Sequence, residues 1–126
     1  MFGCCKKVPI FLGETPQDYE IINWEMALEQ CDGDEDFLNE LLLEMQEDVC
    51  DMKTVFEVST DTEIMDIAHK IKGIACNLMC DDLANTCSDL ESKIREGNKN
   101  ENYSVELENV IKSIERFDDF MKIKIE

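Results

Sequence analysis

The chain has 126 residues, of which 44% are hydrophobic and 33% are charged, with five glycines and two prolines. This length suits one domain with a substantial core, and the composition excludes collagen, low-complexity disorder and repeat arrays. The formal net charge of −18 argues against nucleic acid as a partner, because so negative a surface repels phosphate backbones. No apolar run reaches the length of about 18 residues that a spanning helix needs, so we predict no membrane span.

The seven cysteines are an odd number, and no secretory signal is recognisable at the start of the sequence. We therefore expect a reduced, cytoplasmic setting, with the nucleus as a further compartment if the source is eukaryotic. Residues 1–16 hold both prolines and are predicted to be a flexible arm ahead of a helical domain, residues 17–126. Within the arm, Cys4 and Cys5 precede two lysines, a pattern that palmitoylation can use; unmodified thiols are the alternative.

After Pro16 the sequence lacks proline, and apolar residues recur at helical spacing in five segments. The predicted starts, in chain order, are Asn23, Asp34 or Asp36, Thr62, Asp81 or Asp82, and Tyr103 or Ser104. Gly33 closes the first, short segment, and the fourth ends near Gly97. The four longer segments each have one apolar stripe. The final KIKIE alternates like a strand but is too short to be predicted as one.

The apolar stripes decide the fold class. They are Leu38, Leu41, Met45, Val49, Met52 and Phe56; Ile64, Ile67, Ala68, Ile71, Ala75 and Leu78; Leu83, Cys87, Leu90 and Ile94; and Leu107, Val110, Ile111, Ile114, Phe117 and Met121. Four amphipathic helices with short connections bury such stripes most simply against one another. We predict an all-α protein, an antiparallel four-helix bundle (up-down-up-down) with the short N-terminal helix against one end.

Two patterns suggest metal binding, and we reject both. The acidic run Asp32–Asp36 lacks the glycine and the bidentate glutamate of a calcium loop, whose positions hold Phe37 and Leu43. Acids at a helix start are sufficiently explained by the helix dipole.

The second pattern combines His69 with Cys76, Cys80 and Cys87, which would lie roughly in line on one continuous helix. The helix is expected to break near Asp81, which separates these potential ligands, and buried cysteines act mostly as packing residues. We therefore predict no metal site.

His69 is the single histidine, and it lies about 100° away from the buried Ala68 around the third predicted helix. Its face also carries Met65, Lys72 and Gly73, which are three or four residues away. A glycine inside a helix costs about 1 kcal/mol relative to alanine, but it leaves the ring open to approach. An exposed imidazole beside an ammonium group suits a nucleophile that holds a phosphoryl group.

The histidine lies in a stretch, AHKIKGIACNLMCDDLANTCSDLE, that resembles the motif of histidine-containing phosphotransfer (HPt) domains. That motif is Ala-His-x-Leu-Lys-Gly, then a small-residue turn and Asn-Leu-Gly, then Leu and a Leu-Glu pair. The matching residues are Ala68, His69, Ile71, Lys72, Gly73, Asn77, Leu78, Leu83, Leu90 and Glu91. The lead-in from Ile21 also resembles the family's opening. One departure is Met79, which stands where the family has glycine and affects the turn near Cys80.

The resemblance implies a phosphocarrier in a multistep His–Asp relay. His69 would accept the phosphoryl group through Nε2, Lys72 would balance its charge, and Gly73 would keep the approach open. Asn77 would add a hydrogen bond near the docking surface. Partners would be the receiver domains of a hybrid histidine kinase and of response regulators, which would supply the catalytic groups and Mg²⁺. The chain itself would bind no cofactor and would act as a monomer.

The docking patch for receivers should be apolar with a polar rim, and Met65, Lys70 and Cys76 are its predicted contributors. One alternative is a helical adaptor in which His69 is structural. Another is a pseudo-HPt module that binds receivers without carrying phosphate. Enzymatic catalysis is the weakest interpretation, since no second acid, base or nucleophile is predicted on the His69 face.

Overall fold

The structure is a computed structural model that describes residues 21–56, 60–96 and 103–125. These ranges form five α-helices and no strand: α1 (Trp24–Gln30), α2 (Glu35–Val55), α3 (Asp61–Asn77), α4 (Asp81–Arg95) and α5 (Ser104–Ile125). The helix α5 runs through the terminal stretch that alternates like a strand. The predicted arm, with Cys4 and Cys5, lies outside the described residues, so its flexibility and its lipidation stay predictions.

The four longer helices form a closed ring around one core. The packing is most extensive between α3 and α4, then between α4 and α5 and between α5 and α2, and it is thinnest between α2 and α3. The short helix α1 lies at one end, where the backbone N–H of Asn23 donates to the carbonyl of Met79 at 2.9 Å. The predicted bundle with its extra N-terminal helix is confirmed. No helix in the described ranges has the length and apolarity to cross a membrane.

The predicted apolar stripes form the core. Its fully enclosed residues include Leu38, Met45, Val49, Ala68, Ile71, Ala75, Leu83, Cys87, Leu90, Val110, Ile114 and Phe117. Two positions of the predicted stripe differ in α2: Leu42 is buried where Leu41 is only partly covered, and Met52 is only partly buried. Leu41 is left at the edge because it faces the thin contact between α2 and α3.

The helix starts agree with those predicted from the sequence, except at α3. The side chains of Asn23 and Asp34 cap α1 and α2 as predicted. The predicted cap Thr62 is wrong, because Thr60 caps α3 and forms a capping box with Glu63. Glu63 lies three residues after Thr60, so only Thr60 can exchange both hydrogen bonds with it. These bonds lower the pKa of Glu63.

The turn between α3 and α4 keeps the shape expected of glycine although Met79 occupies it. Met79 has a φ of 59°, in the left-handed region. The Met79 N–H donates to the carbonyl of Cys76, and the Cys80 N–H donates to that of Ala75 at 2.8 Å. This is the pattern in which helices end on a left-handed residue. A side chain in that conformation costs about 1 kcal/mol, but the turn that ends α3 is preserved.

A buried ion pair joins α4 to α5. Nε of Arg116 donates to Oδ2 of Asp82 at 2.8 Å, and a terminal guanidinium nitrogen donates to Oδ1 at 2.9 Å. Both side chains are almost fully enclosed. Such a pair tolerates the loss of one partner poorly, because the remaining charge is left in the interior.

Candidate functional site

His69 stands on the outside of the bundle in the middle of α3. Its side chain is 70% exposed, whereas the preceding residue, Ala68, is completely buried. The imidazole is therefore accessible from solvent while its helix is anchored in the core.

The acid Glu91 on α4 reaches the histidine. Its Oε2 lies 3.0 Å from Nδ1 of His69 and 2.8 Å from a guanidinium nitrogen of Arg95, while its Oε1 lies 3.5 Å from Nζ of Lys72. The side chain of Glu91 is only 5% exposed, so it is held between α3 and α4. The prediction that no second acid lies on the His69 face is wrong, because packing of α4 against α3 supplies one.

The contact with Glu91 assigns the proton on the imidazole. An ionised carboxylate only accepts hydrogen bonds, so Nδ1 carries the hydrogen and donates it to Oε2. In the neutral ring, Nε2 then holds the lone pair. Within the described part of the chain, Nδ1 makes the ring's only hydrogen bond. The ring nitrogen with the lone pair is therefore the one that Glu91 does not hold.

Glu91 is kept ionised by its neighbours. Burial by itself raises the pKa of this carboxyl. The hydrogen bond from His69 and the positive charge of Lys72 lower it by more, and the charges of His69 and Arg95 lower it by smaller amounts. The net effect lowers the pKa of Glu91 below its ordinary value. The site therefore presents a fixed negative charge behind the ring and two cations at its sides.

Gly73 lies one turn beyond His69 on the same face and is exposed. A Cβ placed on it would meet nothing within 4 Å, and its φ is not in the left-handed region. Neither packing nor backbone geometry within the described residues requires glycine there. Its cost of about 1 kcal/mol is consistent with a need for open space in front of the ring.

The other predicted site residues take different positions around α3. Lys72 is half-buried beside Glu91, Met65 is partly buried, and Lys70 and Cys76 are exposed. Asn77 lies at the end of α3, where it lines a groove instead of contacting the imidazole.

That groove lies between α2 and α3 and has a volume of about 310 Å³. Its lining residues are Leu41, Glu44, Met45, Asp48, Ile74, Asn77 and Leu78. It occupies the thinnest contact of the helix ring. Sequence reasoning missed it, because a gap between two helices depends on how far apart they pack.

No group of three potential metal ligands converges anywhere in residues 21–56, 60–96 or 103–125. Cys80 and Cys87 are enclosed in the core, and burial is the main reason that the pKa of each thiol is raised strongly. Cys76 is exposed on α3. The three cysteines are thus divided between core and surface.

Comparison with known protein families identifies the family to which this fold belongs. The family model described as the Hpt domain matches residues 36–119, a span that begins in α2, ends in α5 and includes His69 and Glu91. The chain belongs to the Hpt-domain family. No curated protein and no solved structure matches it. Hpt domains are helical carriers of phosphoryl groups in phosphorelays and interact with receiver domains, and they are not enzymes of the ordinary kind.

Proposed function

We propose that this Hpt-domain protein is a phosphocarrier whose His69 accepts a phosphoryl group from a receiver-domain aspartate and passes it to a second receiver. The observation that carries the proposal is the exposed imidazole held through Nδ1 by the buried Glu91. That arrangement leaves one ring nitrogen both nucleophilic and accessible.

The chemistry is a transfer of the phosphoryl group from oxygen to nitrogen. The lone pair on Nε2 forms the N–P bond as the bond between phosphorus and the receiver's aspartate oxygen breaks, and the aspartate leaves as a carboxylate. The ring then carries a positive charge, and the Nδ1–H stays hydrogen-bonded to Glu91. The carboxylate stabilises this charge as it forms. The return step to a second receiver reverses the same bonds.

Lys72 and Arg95 play the complementary role toward the phosphoryl oxygens. Both cations contact Glu91, the carboxylate that holds Nδ1 of His69. Both are accessible, with side-chain exposures of 37% for Lys72 and 66% for Arg95. A phosphoryl group on Nε2 brings two negative charges close to these side chains, and a lysine and an arginine that turn toward it can balance them. Arg95 was not predicted as a site residue, since only the register of α4 against α3 brings it here.

The receiver approaches over α3. Gly73 leaves the way to Nε2 open, and Lys70 contributes charge at the rim. Met65 and Cys76, one turn before and two turns after His69 on the same face of α3, supply apolar contact. Asn77 extends this surface toward the groove. We expect the receiver to supply the other catalytic groups and the Mg²⁺ ion, as the carrier offers only the nucleophile and its charge support.

Transfer of radioactive phosphate tests the proposal. The full chain is incubated with a phosphorylated receiver domain and Mg²⁺, and the product is analysed for an acid-labile, alkali-stable label. The expected result is such a label on the chain and its absence in His69→Gln. A receiver that binds the chain with no label transferred would instead support the adaptor or pseudo-HPt alternative. A label that persists in His69→Gln would place the acceptor elsewhere.

A further inference from the structure

The groove between α2 and α3 combines an apolar floor with an acidic edge. Leu41, Met45, Ile74 and Leu78 form the floor, whereas Glu44 and Asp48, one turn apart on α2, carry negative charge at its edge. Apolar surface that stays open beside charged groups is a common feature of protein-binding sites.

The position of the groove connects it to His69. Its α3 residues Ile74 and Asn77 lie five and eight residues beyond His69, about 7–12 Å further along the axis. Between them and the imidazole lies the open surface at Gly73. The opposite side of the ring is closed by α4 through Glu91. Around the axis of α3, Asn77 lies about 80° and Ile74 about 140° from His69, on the side that faces α2. A domain that reaches Nε2 from the open side and extends over α3 toward α2 also covers the groove.

The acids at the groove have no cationic partner within the described part of the chain. The one lysine of α2, Lys53, instead pairs with Glu115 of α5 at 3.5 Å. Glu44 and Asp48 are both exposed. An apolar segment that enters the groove would bring its own flanking side chains next to these two carboxylates, and lysine or arginine there would be favoured while aspartate or glutamate would be repelled.

We propose that Glu44 and Asp48 select among receiver domains, favouring those that present an apolar surface segment bordered by lysine or arginine. This inference rests on the proposed function and adds the class of partner that the site accepts. With a chain this acidic, an acidic receiver is slowed by repulsion and a neutral one gains no attraction, whereas a basic border turns the groove into an attractive contact. Selection acts mainly on the rate of association.

The experiment measures second-order rate constants for transfer to the full chain from a panel of phosphorylated receivers, half of which carry a basic border beside exposed apolar surface. The groove variant is Glu44→Gln/Asp48→Asn. The matched control is Glu108→Gln/Asp119→Asn, which makes the same charge change at exposed positions of α5. This helix lies across the bundle from α3. Phosphoramidate, a small phosphoryl donor, reports the reactivity of His69 without docking.

We expect basic-bordered receivers to react fastest, and the groove variant to slow them about 10-fold while the control changes their rates less than about 2-fold. Raising the ionic strength should shrink that difference, since salt screens exposed charges over about 8–10 Å. Equal effects of the groove and control variants, or no advantage for basic-bordered receivers, would overturn the selection while phosphoramidate still labels His69. Failure of every donor to label His69 would overturn the proposed function, and the selection with it.

Discussion

Two buried carboxylates on opposite sides of α4 have different surroundings. Asp82 points toward α5 and meets the enclosed guanidinium of Arg116. Glu91 points toward α3 and meets His69, Lys72 and Arg95, of which the histidine and the arginine are largely exposed. Each acid is nearly inaccessible itself, so only the exposure of the partners distinguishes them.

Under the proposed function, this difference gives one helix two separate tasks, one in stability and one in chemistry. Both charges of the Asp82–Arg116 pair are hidden from solvent, and no approaching molecule can use them. The Glu91 cluster keeps its acid inside and its imidazole and cations at the surface, where they can act on a partner. We infer that Asp82 holds α4 and α5 together, whereas Glu91 orients a reactive group.

The largest expected effect is on the free energy of unfolding, at the enclosed Asp82–Arg116 pair. Arg116→Met leaves Asp82 charged and unpaired in the core, so the free energy of unfolding should fall by about 3–5 kcal/mol. Urea denaturation of the full chain measures it. Lys122→Met is the control, because Lys122 is 62% exposed in its pair with Asp118 and should cost at most about 0.5 kcal/mol. Similar losses in both variants would erase the distinction between buried and exposed pairs.

At the exposed cluster the effect should appear in transfer. Glu91→Gln keeps an oxygen that accepts from Nδ1 but removes the negative charge, so the rate of transfer to His69 should fall about 10- to 100-fold. The free energy of unfolding should change by less than about 1 kcal/mol, because Lys72 and Arg95 can turn to solvent. Glu96→Gln, at an exposed position just beyond α4, is the control. Unchanged transfer with a large loss of stability would make Glu91 a second structural acid.

Substitution of Gly73 by alanine should change stability and the rate of transfer in opposite directions. Gly73→Ala adds a methyl group where nothing lies within 4 Å, so the free energy of unfolding should rise by up to about 1 kcal/mol. Transfer should slow, and Gly73→Leu should slow it severely while the circular dichroism signal of the helices persists. Equal transfer rates for glycine, alanine and leucine at this position would remove the proposed reason for the glycine.

The smallest expected effect is a pH dependence of stability that originates at Glu91. Its pKa is lowered in the folded protein, so its contribution is fully present above the ordinary value of 4.5 and is lost as the pH falls through the folded value. Stability of the chain should therefore decline more steeply below pH 4.5 than that of Glu91→Gln. Parallel pH profiles from urea denaturation would mean that this carboxyl has the same pKa folded and unfolded.

Most of the helical framework could be predicted because the information is local. Apolar spacing identifies the buried side of each helix, and residues such as Asn23 and Asp34 mark the starts. The error at Thr62 was avoidable, since Glu63 three residues after Thr60 already points to a capping box. Met79 could not be predicted as left-handed from its own preference, although this position holds glycine in the family that the sequence resembles.

The site was predictable only on its own helix. His69, Lys72 and Gly73 are neighbours in sequence, whereas Glu91 and Arg95 reach them through the packing of α4 against α3. Two signals were present. Glu91 matches the Leu-Glu pair of the motif that the sequence resembles. It also follows the buried Leu90 and lies four residues after the buried Cys87, so it borders the apolar stripe of its helix. A carboxylate at such a position needs a partner from a neighbouring element. The sequence alone does not say which one.

The most direct test of the account is to determine which ring nitrogen carries the phosphoryl group. The full chain, labelled with ¹⁵N in histidine, is phosphorylated by a receiver domain, and the coupling between ³¹P and ¹⁵N is measured by NMR. The account predicts phosphorus on Nε2 of His69, with Nδ1 still protonated and donating its hydrogen bond to Glu91. Phosphorus on Nδ1, or on any residue other than His69, would contradict it.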